Sequence, residues 1–255
     1  MTNIRFLLTR VTVGFGAWLG FLGTADAASL RVAVASNFVA TAERIATEFE
    51  LATGHQVLIS NASTGQLYAQ IKQGAPFDVF MAADVERPKS LVDLNLAGQF
   101  KVYAHGQLLL LSNVSLPGGC EKILEAPELK HLAIAHPDLA PYGAAAKSFL
   151  QQQGWWENNQ RKLVMGENIA QAAQLVVTEN ATAGLLAKSV LINHQLKPGQ
   201  CLWPVPRDMY APVKQSMVHL HRSKNRVEAA AFMAFVQSDQ GVQIIQSQGY
   251  EVSGD

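Results

Sequence analysis

The strongest constraint on this chain is an alternation: short runs of small and branched apolar residues hand over, with no intervening loop, to segments of helical period. Leu30-Arg31-Val32-Ala33-Val34-Ala35 reads as a strand, and Phe38, Ala42, Ile45, Phe49 and Ala52 then recur three or four apart on one face. Ser36 or Asn37 is the natural cap of that helix and Gly54 its natural stop. His55 to Ser60 reads as the next strand, which completes a βαβ unit. Such units place carboxyl ends of strands and amino ends of helices on the side where ligands bind.

The alternation continues along the chain. Asn61 to Gly65 leads into a short helix over Gln66 to Gln73, with Leu67 and Ile71 inward and Gly74-Ala75-Pro76 closing it. Phe77 to Ala82 is a strand, and Ala83-Asp84 opens a helical stretch with Pro88 near its first turn. Tyr103 to Leu111 reads as one long strand or linker, its four leucines suited to burial on both faces. A second block has strands at Leu132 to Ala135, Leu163 to Met165 and Ala183 to Ala187, with helices over Ala144 to Gln153 and Ile169 to Val177. Pro198, Pro204, Pro206 and Pro212 punctuate a return path. Val213 to Leu220 alternates as a strand, and Arg226 to Val236 is a terminal helix expected to bury Val227, Ala230, Ala231 and Ala234. Two α/β blocks joined by two extended segments imply two lobes around a cleft. Lobe 1 is expected over 29–106 plus 208–255, and lobe 2 over 107–207.

The first residues decide which part of the chain folds. Arg5 and Arg10 precede an apolar run, Val11 to Leu22, and Ala25-Asp26-Ala27-Ala28 follows with small residues at cleavage spacing. This pattern predicts a secretory signal peptide over residues 1–28, cut after Ala27 or Ala28. The competing reading is a membrane anchor, but the run is shorter than the roughly 20 residues a spanning helix needs. Removing Arg5, Arg10 and Asp26 from 20 cationic and 20 anionic residues leaves 18 and 19, a formal charge of −1 with no basic stripe for nucleic acid. Cys120 and Cys201 are the only cysteines, and an oxidising compartment permits one bridge between them, although spacing leaves the pairing open. Neither has a CxxC companion, and His219 and His221 alternate as in a strand, so no cation site is expected.

Four handovers share one chemistry. Ser36-Asn37, Ser63-Thr64-Gly65, Tyr142-Gly143 and Asn168-Ile169 are small or neutral hydrogen-bonding residues at helix starts, with no arginine or lysine among them. Taken singly, each is an ordinary cap or turn. Taken together, they are helix amino ends whose free N–H groups and dipoles favour an anion. A cage of fixed neutral donors suits a fully ionised tetrahedral oxyanion, which presents only acceptors. Phosphate at neutral pH keeps a proton and calls for an acceptor that no handover supplies. Sulfate is not separable on this basis. Enzymatic readings are weaker: Asp78 and Asp84 are better read as a turn residue and a helix cap than as an acid/base or metal pair. The histidines have no Gly-x-Ser-x-Gly or His-Glu-x-x-His partner.

The residues that carry these features resemble a known family. Ala33 to Phe38, Ala62 to Ile71, Gly74 to Asp84, Ala140 to Gly143 and Gly166 to Ala172, in this order and spacing, are similar to the periplasmic molybdate-binding proteins of ABC transporters. The likeness runs from Leu30 to about Val252. It implies a two-lobed periplasmic binding protein fold (type II), with mixed sheets, flanking helices and a central cleft that holds molybdate or tungstate. It implies no cofactor and no catalysis, a monomer in the periplasm, and a membrane permease as partner. Matched segment by segment, Ser36 (hydroxyl and N–H) and Asn37 fall at the first oxyanion contact and Thr64 at the second. Tyr142 falls at the third contact and the Ile169 backbone N–H at the fourth, with Ser63, Gly65, Gly143 and Asn168 in support. The chain departs from the family in two places: Ala187 stands where some members carry a tyrosine, and Thr64 where serine is commoner.

Overall fold

A computed structural model describes residues 28–252, so the expected signal peptide lies outside the described residues. The first sheet has the order β2-β1-β3-β10-β4, from β1 (Ser29–Ala35), β2 (Gln56–Ala62), β3 (Val79–Ala82), β4 (Lys101–Gly106) and β10 (Val213–His219). The second has the order β7-β6-β8-β5-β9, from β5 (Leu108–Ser112), β6 (Leu132–Ala135), β7 (Leu163–Gly166), β8 (Ala183–Ala187) and β9 (Cys201–Pro204). In each, a strand has parallel neighbours on both sides and an antiparallel strand completes the far side. Both are therefore mixed sheets, and the parallel strands require crossover helices on their faces.

The expected single stretch over Tyr103 to Leu111 is broken. β4 pairs with β10 in the first sheet and β5 with β8 and β9 in the second, so the chain changes sheets at Gln107. It returns between Pro204 and Val213. The leucines of β5 are buried on both faces, as a central strand between layers demands.

Helices α1 (Val39–Thr53) and α2 (Thr64–Lys72) cross over between β1, β2 and β3, and α3 (Glu86–Asp93) follows β3. α4 (Pro141–Gln152), α5 (Trp156–Asn159) and α6 (Ile169–Val177) do the same work in the second block. α1 buries Ala42, Ile45 and Phe49 and ends at Gly54, whose φ of 75° only glycine adopts without strain. Phe49 meets Phe232 edge-on, and each such buried side chain stabilises by about 1.5–3 kcal/mol.

The terminal region corrects the expectation. α7 (Arg226–Val236) buries Ala229, Phe232, Met233 and Val236, while Val227 is 78% exposed. Apolar residues surround this helix, so the pattern allowed two faces, and the bulkier Phe232 and Met233 gain more by burial than alanines. A further helix, α8 (Asp239–Ser247), follows and is capped by Ser238. Cys120 and Cys201 are bonded, which fastens the edge strand β9 to the turn Cys120–Leu124 inside the second block.

Candidate functional site

The site is built where the two blocks face each other, at the ends of strands that hand over to helices. After β1 the chain makes a tight turn, Ser36–Phe38, before α1 begins. Neither Ser36 nor Asn37 caps that helix through its side chain, contrary to expectation. Both are buried, and the Asn37 carboxamide points inward, donating to Gln215 Oε1 and to the Tyr250 hydroxyl, each at 2.9 Å. The Asn37 carboxamide is thereby committed to the core rather than to the cleft.

At the second handover Ser63 and Gln66 form a reciprocal capping box, which occupies the Ser63 hydroxyl. Thr64 is buried, and its hydroxyl oxygen accepts the Ala83 N–H at 3.2 Å, leaving its O–H as a donor. The neighbouring Gly65 N–H reaches across to the Leu139 carbonyl of the other block at 2.9 Å. At the fourth handover Asn168 caps α6 by accepting from the Ala170 and Gln171 N–H groups. The Ile169 N–H, on a residue only 2% exposed, remains a first-turn donor with no partner among the described residues.

Tyr142 opens α4 after Pro141, and Gly143 lets this helix end lie against the Ala135 carbonyl, where a Cβ would be 2.2 Å from the oxygen. The Tyr142 hydroxyl is the only buried side-chain polar atom among the described residues that has no hydrogen-bond partner. Burial, with Tyr250, Tyr210 and Tyr103 nearby, pushes its pKa well above the ordinary tyrosine value against a smaller opposing influence of the nearby Ser189 hydroxyl, so it is a neutral O–H group. A buried hydroxyl left unpaired costs about 1–3 kcal/mol, which marks the position as one that expects a partner.

The handovers are joined across the blocks. The turn at Ser36–Phe38 packs against α6, and the Ser189 hydroxyl, from the turn after β8, donates to the Asn37 carbonyl at 3.0 Å. Gln66 reaches Glu167, beside Asn168. Ala187 is fully buried at the end of β8, two residues before Ser189.

Arg87 and Lys214 both border the adjoining cavity. Arg87 of α3 bonds to Asp84 of its own block and to the Asp138 carbonyl of the other, so its guanidinium is engaged by oxygens of the protein. Burial raises the Asp84 pKa above the usual carboxylate value, with Arg87 opposing. Asp78, by contrast, lies elsewhere, accepting from the Arg31 N–H and the Ser223 hydroxyl as a structural tie. The two aspartates do not form a pair. That cavity, of about 850 Å³, lies between Asp84, Arg87, Pro141 and Lys214 and includes none of Ser36, Thr64, Tyr142 or Ile169. Gln215, Tyr250, Ser189 and Arg87 were not anticipated. Only Gln215, on the strand β10, hinted at a buried polar cluster.

Residues 30–251 match the family of bacterial extracellular solute-binding proteins. The chain belongs to that family. Among relatives of this solute-binding protein, the molybdate-binding protein ModA of Azotobacter vinelandii is 40% identical over 252 residues, covering 97% of this chain and 99% of that one. The solved structure of the Azotobacter vinelandii periplasmic molybdate-binding protein superimposes with a TM-score of 0.83 at 33% identity, covering 88% of this chain and all of the other. The sulfate-binding protein of Mycobacterium tuberculosis H37Rv has a TM-score of 0.72 at 12% identity, covering 88% of this chain and 87% of the other. The last shares the fold alone, the two-lobed α/β architecture with mixed sheets, which by itself does not choose a solute.

Proposed function

We propose that this solute-binding protein captures molybdate, and tungstate with it, in the periplasm and delivers it to the membrane permease of an ABC transporter, without catalysis. The observation that carries the reading is the unpaired, buried Tyr142 hydroxyl among helix amino ends. Ser36 with its hydroxyl and N–H, Asn37 with its N–H, and the Thr64 hydroxyl bind from one side. Tyr142 and the Ile169 N–H bind from the other. Ser63 and Asn168 hold their helix ends rigid, and Gly65 and Gly143 allow the close approach of chain to chain.

The lobes are 29–106 with 208–255, and 107–207, and they close on the anion about the two crossovers. Closure follows from the anion's greater affinity for the closed shape, in which donors of both lobes meet it. A hydrogen bond to a charged group is worth about 1.5–3 kcal/mol, and several together offset desolvation of the dianion. Relatives of the same family that bind molybdate support this choice over sulfate. The signal peptide at residues 1–28 takes the chain to its compartment, where it acts as a monomer.

Calorimetric titration with molybdate, tungstate and sulfate tests the reading. One-to-one binding of the first two with sulfate silent is expected. Equal or tighter binding of sulfate reverses the assignment.

A further inference from the structure

The segment Gly249–Glu251 touches both crossovers and the turns that begin at Ser36 and Lys188. Tyr250 is 4% exposed, and its hydroxyl donates to the Asn37 carbonyl at 2.7 Å while accepting from the Asn37 carboxamide at 2.9 Å. The same carbonyl accepts Ser189 from the opposite block. A carbonyl held by two hydroxyls has one orientation, which fixes the Asn37–Phe38 peptide plane and with it the turn that carries Ser36 and Asn37.

The neighbours of Tyr250 reach further. The Glu251 backbone pairs in both directions with His105 on β4, the strand that leads out of the first sheet. Its carboxylate takes Gln107, where the chain changes sheets, and Arg207, on the return path. On the other side Gly249, at a φ of 82°, lies against Lys188 and Ile192, which flank Ser189 in the second block. One short segment thus grips both crossovers, the turn that carries Ser189 and the turn that carries Ser36 and Asn37.

We infer that Tyr250 is a positioning residue for the first oxyanion contact, and that Glu251 beside it couples that contact to the hinge. This rests on the proposed molybdate site. Neither residue touches the anion. Tyr250 sets the aim of the Ser36-Asn37 turn, and Glu251 holds the crossovers at the angle that brings Ser189 onto the same carbonyl. A change at the hinge is thereby felt at the anion, and the reverse.

The test uses the mature protein and molybdate, with calorimetric affinity, stopped-flow release rate and thermal melting. Tyr250→Phe keeps the ring on Phe38, whose centroid is 5.1 Å away, and removes only the hydroxyl. Affinity should fall about tenfold. In a cycle with Ser36→Ala, the two losses should combine to less than their sum, because both act through one turn. A purely structural tyrosine would lower the melting temperature and leave the losses additive, which overturns the inference. Glu251→Gln, at an exposed position that threatens folding little, should speed release several-fold without altering the melt; an unchanged rate also overturns it. If wild-type protein ignores molybdate, the functional reading falls first, whereas tight wild-type binding with an unaffected Tyr250→Phe variant condemns only this inference.

Discussion

Gly106, the last residue of β4, lies directly beneath the Tyr142 hydroxyl: a Cβ placed on Gly106 would stand 2.0 Å from that oxygen and 2.8 Å from the ring carbon that bears it. The glycine sits one residue before the chain leaves the first sheet, and the tyrosine belongs to the second block. The observed position of Tyr142 therefore needs a residue without a side chain at the crossover. Gly106→Ala is expected to push Tyr142 off its position and weaken molybdate binding about tenfold or more, as titration would reveal. A variant with wild-type affinity would separate Tyr142 from the site.

Tyr142→Phe should divide binding from stability. Removing an unpaired buried hydroxyl relieves its desolvation, so the free protein should melt no lower than wild type. Affinity should nonetheless fall by about 1.5–3 kcal/mol, or roughly 10- to 150-fold. Because the Tyr142 pKa lies well above the ordinary value, wild-type affinity should not decline through titration of this group in the neutral range.

Gly65 meets the opposite block in a comparable way. A Cβ there would lie 3.0 Å from the Leu139 carbonyl oxygen and 3.3 Å from the Arg87 guanidinium. Gly65→Ala should favour the helix by up to about 1 kcal/mol yet hold the lobes apart. The expected signature is an unchanged or higher melting temperature with weaker molybdate binding and a larger radius of gyration in X-ray scattering. A compact, tight-binding variant would contradict it.

The bond between Cys120 and Cys201 closes a sequence separation of 81 residues within the second block and touches neither crossover. Replacing both cysteines by serine should lower stability by about 2–4 kcal/mol in denaturant titration. Molybdate affinity should stay within about twofold, since 1.4 kcal/mol is needed for a factor of ten. A large affinity loss would make the bridge part of the site.

His219 packs on Gly98, and His105 lies beside the crossover. Burial lowers both pKa values, assisted by His221 and Arg226 at the first, and by Lys214 and Arg207 at the second, where Glu251 opposes. Below the ordinary histidine value of about 6.5 the unfolded chain binds more protons than the folded one. Their stabilising contribution is thus complete above that value and is lost as pH falls through the lowered pKa values. Urea midpoints measured across this window should drop on acidification, and His219→Gln should flatten part of the slope.

Much of this molecule was legible in its sequence, for local reasons. The strand-to-helix handovers announced themselves because a period of two cannot be mistaken for one of 3.6 over a full element, and Gly54 stops α1 as expected. Asn168 caps α6 because its side chain needs only the N–H groups two and three residues on. α7 was less legible: apolar residues on every side left its buried face to be chosen by Phe232 and Met233. The inward turn of the Asn37 carboxamide was not legible at all. Its partners, Gln215 and Tyr250, lie 178 and 213 residues away.

What the sequence determined alone was therefore the set of elements, the residues at their ends and the neutral character of those ends, since each depends on neighbours within a few positions. Only the tertiary structure decided which donors remain free for a ligand. Ser63 is committed to its own cap, Asn37 to the core and Gly65 to the opposite block, while Tyr142 is left unpaired. A hydrogen-bonding group has a fixed capacity, and whether it is filled depends on chain segments that meet only after the two sheets are formed.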